Sequence, residues 1–235
     1  MENEGYLISF PRSGCTWIRY ILACVLCGRI IEREKLSVLF PDLHRLELYD
    51  PSQKMPFVLY KSHFSHYKDY EDKKIIYLYR DGRDVALSYY YFKYFEGTEK
   101  AFSQYLKDEF ISIGIKRYGG TWKEHVESWA FKKDKKIFII NYEELYANTF
   151  QVIRNVVTFL RLNTTDDWIQ EIIKFTNINY WRKISRKAGW YDKQIGLKGE
   201  PGGWKKEFSQ SDLDLFWNWA GDLMKELNYK YGGIK

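Results

Sequence analysis

The chain has 235 residues, 45% of them apolar, and a formal net charge of +6. That length suits one domain with a sizeable core, and that apolar share excludes wholesale disorder. Aromatic residues reach 19%, enough for flat-walled pockets, and the small positive excess points to anionic small ligands rather than a nucleic-acid coat.

In chain order, an acidic start (Met1 to Gly5) leads into a first apolar run, Tyr6–Phe10, and does not read as a secretory signal. Pro11-Arg12-Ser13-Gly14-Cys15-Thr16-Trp17 follows, then an apolar helical pattern over Thr16–Gly28. This is strand, tight turn and helix N-terminus, where backbone N–H groups and the helix dipole favour an anion. Gly14 lets the backbone come close to it, Arg12 adds a full charge, Ser13 and Thr16 add hydroxyls, and Trp17 can stack on a base. The Walker pattern G-x-x-x-x-G-K-[ST] occurs nowhere in the chain, which disfavours an ATPase or GTPase. Cys24 and Cys27 form a C-x-x-C inside the helical pattern. With Cys15 as the third cysteine and no second pair, neither a disulfide framework nor a zinc site is expected. Arg19 and Arg29 interrupt this stretch, and it is too short to cross a bilayer, so a soluble cytoplasmic protein is expected.

A second apolar run, Phe57–Tyr60, is followed directly by Lys61-Ser62-His63. A third, Ile75–Tyr79, runs into Arg80-Asp81-Gly82-Arg83-Asp84-Val85-Ala86-Leu87-Ser88-Tyr89-Tyr90, again a polar turn opening a helix. Arg80 emerges from the strand and Ser88 lies about two turns along the helix, so both are expected to converge on one anion. Asp84 reads as a first-turn acid complementing the helix dipole. A fourth run is Ile137–Ile140, and further helical patterns cover Arg83–Phe95, Thr121–Lys132, Glu143–Leu160, Asp166–Phe175 and Ser209–Leu227, the last opened by a capping box of Ser209 and Asp212. The lysine-rich runs Glu71–Lys74 and Lys132–Lys136 read as solvated loop ends. Short, uninterrupted β-rich runs alternating with helices predict a three-layer α/β/α fold with a central parallel sheet, and a ligand beyond the carboxyl ends of its strands.

Two phosphate-type loops on adjacent strands, one beside a tryptophan, suggest a ligand with two separate phosphates and a base. Here the residues resemble a known family. Pro11–Trp17 is similar to the 5′-phosphosulfate loop of the PAPS-dependent sulfotransferases, P-K-S-G-T-T-W, and Arg80–Tyr90 to their 3′-phosphate segment, R-[DN]-x-[RK]-D-V-A-x-S-Y-Y. The resemblance implies a P-loop-like sulfotransferase domain over residues 1–235. PAPS (3′-phosphoadenosine 5′-phosphosulfate) is then the donor and PAP (adenosine 3′,5′-bisphosphate) the product, with no metal. Lys61-Ser62-His63 resembles the family's K-[ST]-H segment, which implies His63 as general base and Lys61, with Arg12, as catalytic cations. Arg12, Ser13, Gly14, Cys15, Thr16 and Trp17 are implied on the 5′ side, and Arg80 and Ser88 at the 3′-phosphate. Arg12 stands for the family's lysine and Cys15 for a threonine. Leu197-Lys198-Gly199-Glu200-Pro201-Gly202-Gly203-Trp204-Lys205 resembles the late segment R-K-G-x-x-G-D-W-K, a glycine-rich lid, with Leu197 and Gly203 in place of its arginine and aspartate. Lys198, the Gly199 backbone and Arg186 are expected to take over the lost contact. Tyr142, in Asn141-Tyr142-Glu143-Glu144-Leu145, resembles the tyrosine near the adenine, and Thr176 to Ile178 is the expected segment on the base's other side.

Phe64, Tyr67, Tyr91, Tyr94, Phe95 and the region Leu36–Asp50 are candidates for the acceptor pocket, and the acceptor is expected to be a small molecule. His44, His66 and His125 read as structural. Lys205 to Asp214 matches the family's dimerisation signal poorly, so a monomer or weak homodimer is expected, with neither nucleic acid nor membrane as partner. The alternatives are a phosphotransferase, which needs a Mg²⁺ site and a Walker lysine, and a non-catalytic nucleotide-binding relative. A nucleic-acid-binding module would show steep salt dependence on oligonucleotides.

Overall fold

The computed structural model describes residues 3–65, 70, 72–94, 100–176 and 199–232. Four strands, β1 (Glu4–Ser9), β2 (Val58–Ser62), β3 (Lys74–Tyr79) and β4 (Ile137–Asn141), form one all-parallel sheet in the order β2-β1-β3-β4. Alternation along each strand sends side chains to opposite faces. Leu7, Leu59, Ile76, Leu78 and Ile140 join one core with helices α1 (Cys15–Cys27), α5 (Thr149–Leu160) and α6 (Asp166–Phe175). Ile8, Ile75 and Tyr77 point the other way, against Trp129 of α3 (Trp122–Trp129). Helices α2 (Gly82–Lys93) and α7 (Gln210–Glu226) build a further core around Phe10, Trp122, Trp204 and Phe216. The three-layer α/β/α expectation holds.

The expected helix Glu143–Leu160 is two, α4 (Tyr142–Ala147) and α5, broken at Asn148, which sits at φ −130° between them. Helix α7 carries the capping box expected of Ser209 and Asp212. Of the lysine runs, Lys73 pairs with Glu4, and Lys74 Nζ donates to the Leu160 carbonyl at 3.0 Å, so this loop end is tied down rather than solvated. The three cysteines are free thiols, and burial pushes all three upward in pKa, Cys27 to about 11.

The chain leaves β1 toward β2 on one side and leaves β3 toward β4 on the other. Strand order therefore reverses between β1 and β3, and a crevice opens beyond their carboxyl ends. Both polar turns singled out in the sequence start there. Among the described residues, no helix is long and apolar enough to cross a membrane.

Candidate active site

The turn after β1 is held by the Ser13 N–H donating to the Phe10 carbonyl, with Arg12 at φ 73° and Gly14 at φ 97°. Gly14 caps α1, whose first turn has neither a side-chain cap nor an acidic residue, so an anion at this helix end meets no competing side chain. A Cβ on Gly14 would lie 2.4 Å from the Tyr142 ring. Glycine is required here twice over, by the positive φ and by the ring beneath it.

Tyr142 is the hub of this region. Its ring supports Gly14, lies 4.4 Å under the Arg80 guanidinium carbon and meets Trp17 edge-on at 6.3 Å, while its hydroxyl donates to the Gly199 carbonyl at 2.7 Å. One buried side chain thus joins the first loop, the β3 turn and the late segment. Trp17 donates its indole N–H to the Thr176 carbonyl at 2.9 Å, which brings α6's end beside the first loop.

In the β3 turn, the four charged residues divide the work. Asp81 caps α2 by accepting from the Arg83 N–H at 2.9 Å and pairs with the Arg83 guanidinium at 2.7 Å. Arg83 stacks on Trp204 at 3.8 Å and donates to the Lys230 and Tyr231 carbonyls, which ties down the segment after α7. Asp84 does more than complement a dipole. It accepts from the Gly202 N–H at 2.7 Å and the Trp204 N–H at 3.0 Å, and pairs with Arg80 at 3.5 Å. The late segment around Trp204 is therefore built into the core, where the sequence suggested a free lid. Arg80 is buried, with its Nε unpartnered and an Nη2 reaching only the Glu200 carbonyl at 3.4 Å and Asp84. Ser88 does not meet Arg80. Its hydroxyl accepts from Arg12 Nε at 3.1 Å, which ties the two loops together across the crevice.

Beyond β2, His63 Nδ1–H donates to the Ser9 carbonyl at 2.6 Å, which leaves Nε2 as the basic nitrogen. Burial, then the nearby Lys61 charge, hold its imidazole well below the ordinary value, so it is neutral at pH 7. Lys61 Nζ pairs with Asp42 at 2.7 Å, and Arg19 stands 3.8 Å from the same carboxylate. Burial alone would push the Asp42 carboxyl up, but Lys61, the His44 N–H and Arg19 bring it below the usual range. The stretch Pro41–His44 lies along the end of β2, with the Lys61 N–H donating to the Pro41 carbonyl at 2.8 Å and the Leu43 N–H to the Lys61 carbonyl at 3.0 Å. Two residues on, the His63 N–H donates to His44 Nε2 at 2.9 Å, and the two imidazoles stack with centroids 5.3 Å apart. Burial lowers His44 to about 4.

Arg12, Gly14, Cys15, Thr16, Trp17, Lys61, His63, Arg80, Ser88, Tyr142 and Gly199 all line one cavity of about 740 Å³. Ser13 is fully buried behind the loop and lies outside that lining. His44, expected to be structural, also lines the cavity, and so do Asp42 and Tyr91 from the acceptor candidates. Tyr94 does not, because its hydroxyl is taken by Glu109. Phe64 packs behind, edge-on to His44 at 4.8 Å. Lys198, Arg186, Leu197, Ile178, Tyr67, Phe95 and His66 lie outside the described residues. Sequence reasoning missed Arg117 and Tyr118, which reach the site from a turn with no motif, and Tyr118 packs 5.3 Å from His63.

Sulfotransferase 1B1 of Canis lupus familiaris is 27% identical over 244 residues, 91% of this chain and 81% of its own. Sulfotransferase 2A1 of Homo sapiens is 26% identical over 261 residues, 96% of this chain and 87% of its own. Among solved structures, retinol dehydratase in complex with androsterone and the inactive cofactor PAP has a TM-score of 0.75 at 19% identity, covering 98% of this chain and 83% of that one. A mouse sulfotransferase complexed with PAP has a TM-score of 0.73 at 20% identity, covering 96% and 85%. The sulfotransferase domain family matches residues 4–228, from the first strand through the last helix, and the chain belongs to that family.

Proposed function

We propose that residues 1–235 act as one cytoplasmic sulfotransferase domain that moves a sulfuryl group from PAPS to a hydroxyl or amine of a small-molecule acceptor, with His63 as general base. The observation that carries this reading is His63 itself: neutral, oriented by the Ser9 carbonyl, with Nε2 left as the basic nitrogen, in the cavity that also holds both anion loops. The residues fit a doubly phosphorylated nucleotide. The glycine at the head of α1 gives backbone access, Arg80 has a buried unpartnered Nε, and Arg12 and Lys61 line the same space.

PAPS supplies the sulfuryl group. The acceptor oxygen or nitrogen forms the new bond to sulfur, the sulfur–oxygen bond to the 5′-phosphate breaks, and PAP leaves with the electron pair. His63 Nε2 takes the acceptor proton, and the negative charge of the donor raises the proton affinity of a ring that is otherwise held neutral. Lys61 and Arg12 stabilise charge on the departing phosphate. Asp42 orients Lys61, and the His44 stack orients His63. Arg80 and Ser88 hold the 3′-phosphate, with Lys198 from the late segment.

His63→Ala should lower kcat by about 10²–10⁴-fold while leaving PAP affinity within a factor of about two. Undiminished turnover would remove His63 from this role.

A further inference from the structure

We infer that the acceptor carries an anionic group, a carboxylate or phosphate, bound by Arg45 and Arg117 while its nucleophilic atom faces His63. This rests on the sulfuryl-transfer reading and names the substrate class of the same cavity.

Arg33 apart, the cationic side chains that line the cavity fall into two sets. The inner ones are engaged: Lys61 and Arg19 with Asp42, Arg80 with Asp84, and Arg12 with Ser88. Arg45 and Arg117 also line the cavity, are exposed, and form no ion pair with any described residue. Both flank His44. Arg45 follows it in the chain, and Arg117 Nη2 donates to its carbonyl at 3.4 Å, close enough for the Arg117 charge to depress the His44 imidazole. His44 in turn stacks on His63. Arg117 therefore stands one ring beyond the proposed base, and Arg45 lines the same cavity next to His44 in the chain. Glu47, which also lines the cavity, pairs with neither.

Between the arginines and His63 the wall is aromatic. Tyr118 packs on both imidazoles, at 4.6 Å from His44 and 5.3 Å from His63, and Arg117 lies 5.7 Å over the Tyr118 ring. Tyr89, Tyr91 and Phe92 line the same cavity. A planar acceptor would lie along this wall with its acid at the arginine end. The cavity of about 740 Å³ suits a nucleotide together with a small organic acid. Planar guanidinium forks match carboxylate and phosphate oxygens, and discrimination against a neutral isostere follows from leaving those forks unmatched.

The test is equilibrium binding to the PAP-saturated protein at low ionic strength, with three probes: para-hydroxyphenylacetate, para-hydroxybenzylphosphonate and the neutral para-hydroxyphenylacetamide. At least one anion should bind about tenfold more tightly than the amide, and the preference should shrink as salt rises. The carboxylate and phosphonate arms distinguish the two acid types. Arg45→Gln with Arg117→Gln should remove the preference and leave PAP affinity unchanged. Equal binding of anions and amide by the wild-type protein, or a preference that survives in the double variant with PAP bound, would overturn the inference. Failure of PAP itself to bind would overturn the donor reading beneath it.

Discussion

Gly14 and Asp84 show how single residues set this site. Gly14 sits at φ 97° with the Tyr142 ring where a Cβ would go. Gly14→Ala should therefore cost about 1–3 kcal/mol in backbone strain, displace Tyr142 and weaken PAP binding by at least about tenfold, as thermal denaturation and calorimetry would register. Asp84 is buried and holds the Gly202 and Trp204 N–H groups together with Arg80. Asp84→Ala leaves two N–H groups without their acceptor and the buried Arg80 without its counter-charge, with an expected loss of about 3–5 kcal/mol in denaturant unfolding. A loss under about 1 kcal/mol would mean that the late segment does not depend on this carboxylate. Residue roles inside motifs were only partly legible. Asp81, Arg83 and Asp84 belong to one matched segment, yet a sequence pattern cannot separate a helix cap, a tail anchor and a carboxylate that holds backbone, because these depend on partners up to 148 positions away.

At the level of elements, the strands were the clearest signal. Parallel strands buried on both faces read as short unbroken apolar runs, and all four appear within two residues of their expected bounds. Long helices with a strong stripe were equally legible, and Asp166–Phe175 matches its expectation at both ends. Helices α4 and α5 were read as one because their apolar pattern continues past Asn148, and nothing local announces the break. The stretch Pro41–His44 was named only as part of an acceptor region. It has no periodicity of its own, and its pairing with Lys61 and His63 is decided by packing against the end of β2. This stretch carries its own prediction. Asp42→Asn keeps the shape but removes the Lys61 counter-charge, so kcat should fall by about tenfold or more while PAP affinity holds. An unchanged kcat would show that Lys61 needs no partner to be placed.

For the molecule as a whole, three buried or half-buried imidazoles set the acid limit. His63 is held well below its ordinary value, His44 near 4 and His125 near 3, burial being the leading cause in each. His63 faces Lys61, His44 and the Ser9 carbonyl, and His125 faces the Tyr77 hydroxyl at 3.1 Å. The unfolded imidazoles protonate near 6.5, and the folded ones only well below it. Between those values the unfolded chain binds more protons, so stability falls as pH drops through 6.5. His63 and His125 should each contribute about 1.4 kcal/mol per pH unit in that window. Melting temperature should decline steeply from pH 6.5 toward 4, and His125→Gln should flatten the slope. A melting temperature constant over that range would contradict the neutral, buried state assigned to these rings.

The central claim is that the two turns beyond β1 and β3 together hold a nucleotide with phosphates at both the 3′ and 5′ positions. Calorimetric titration with PAP, AMP and ATP with Mg²⁺ tests it directly. PAP should bind at least about tenfold more tightly than AMP or ATP, and Arg80→Ala should bring PAP down to the level of AMP. Equal affinity for PAP and AMP in the wild-type protein would contradict the account, because the β3 turn would then hold no 3′-phosphate.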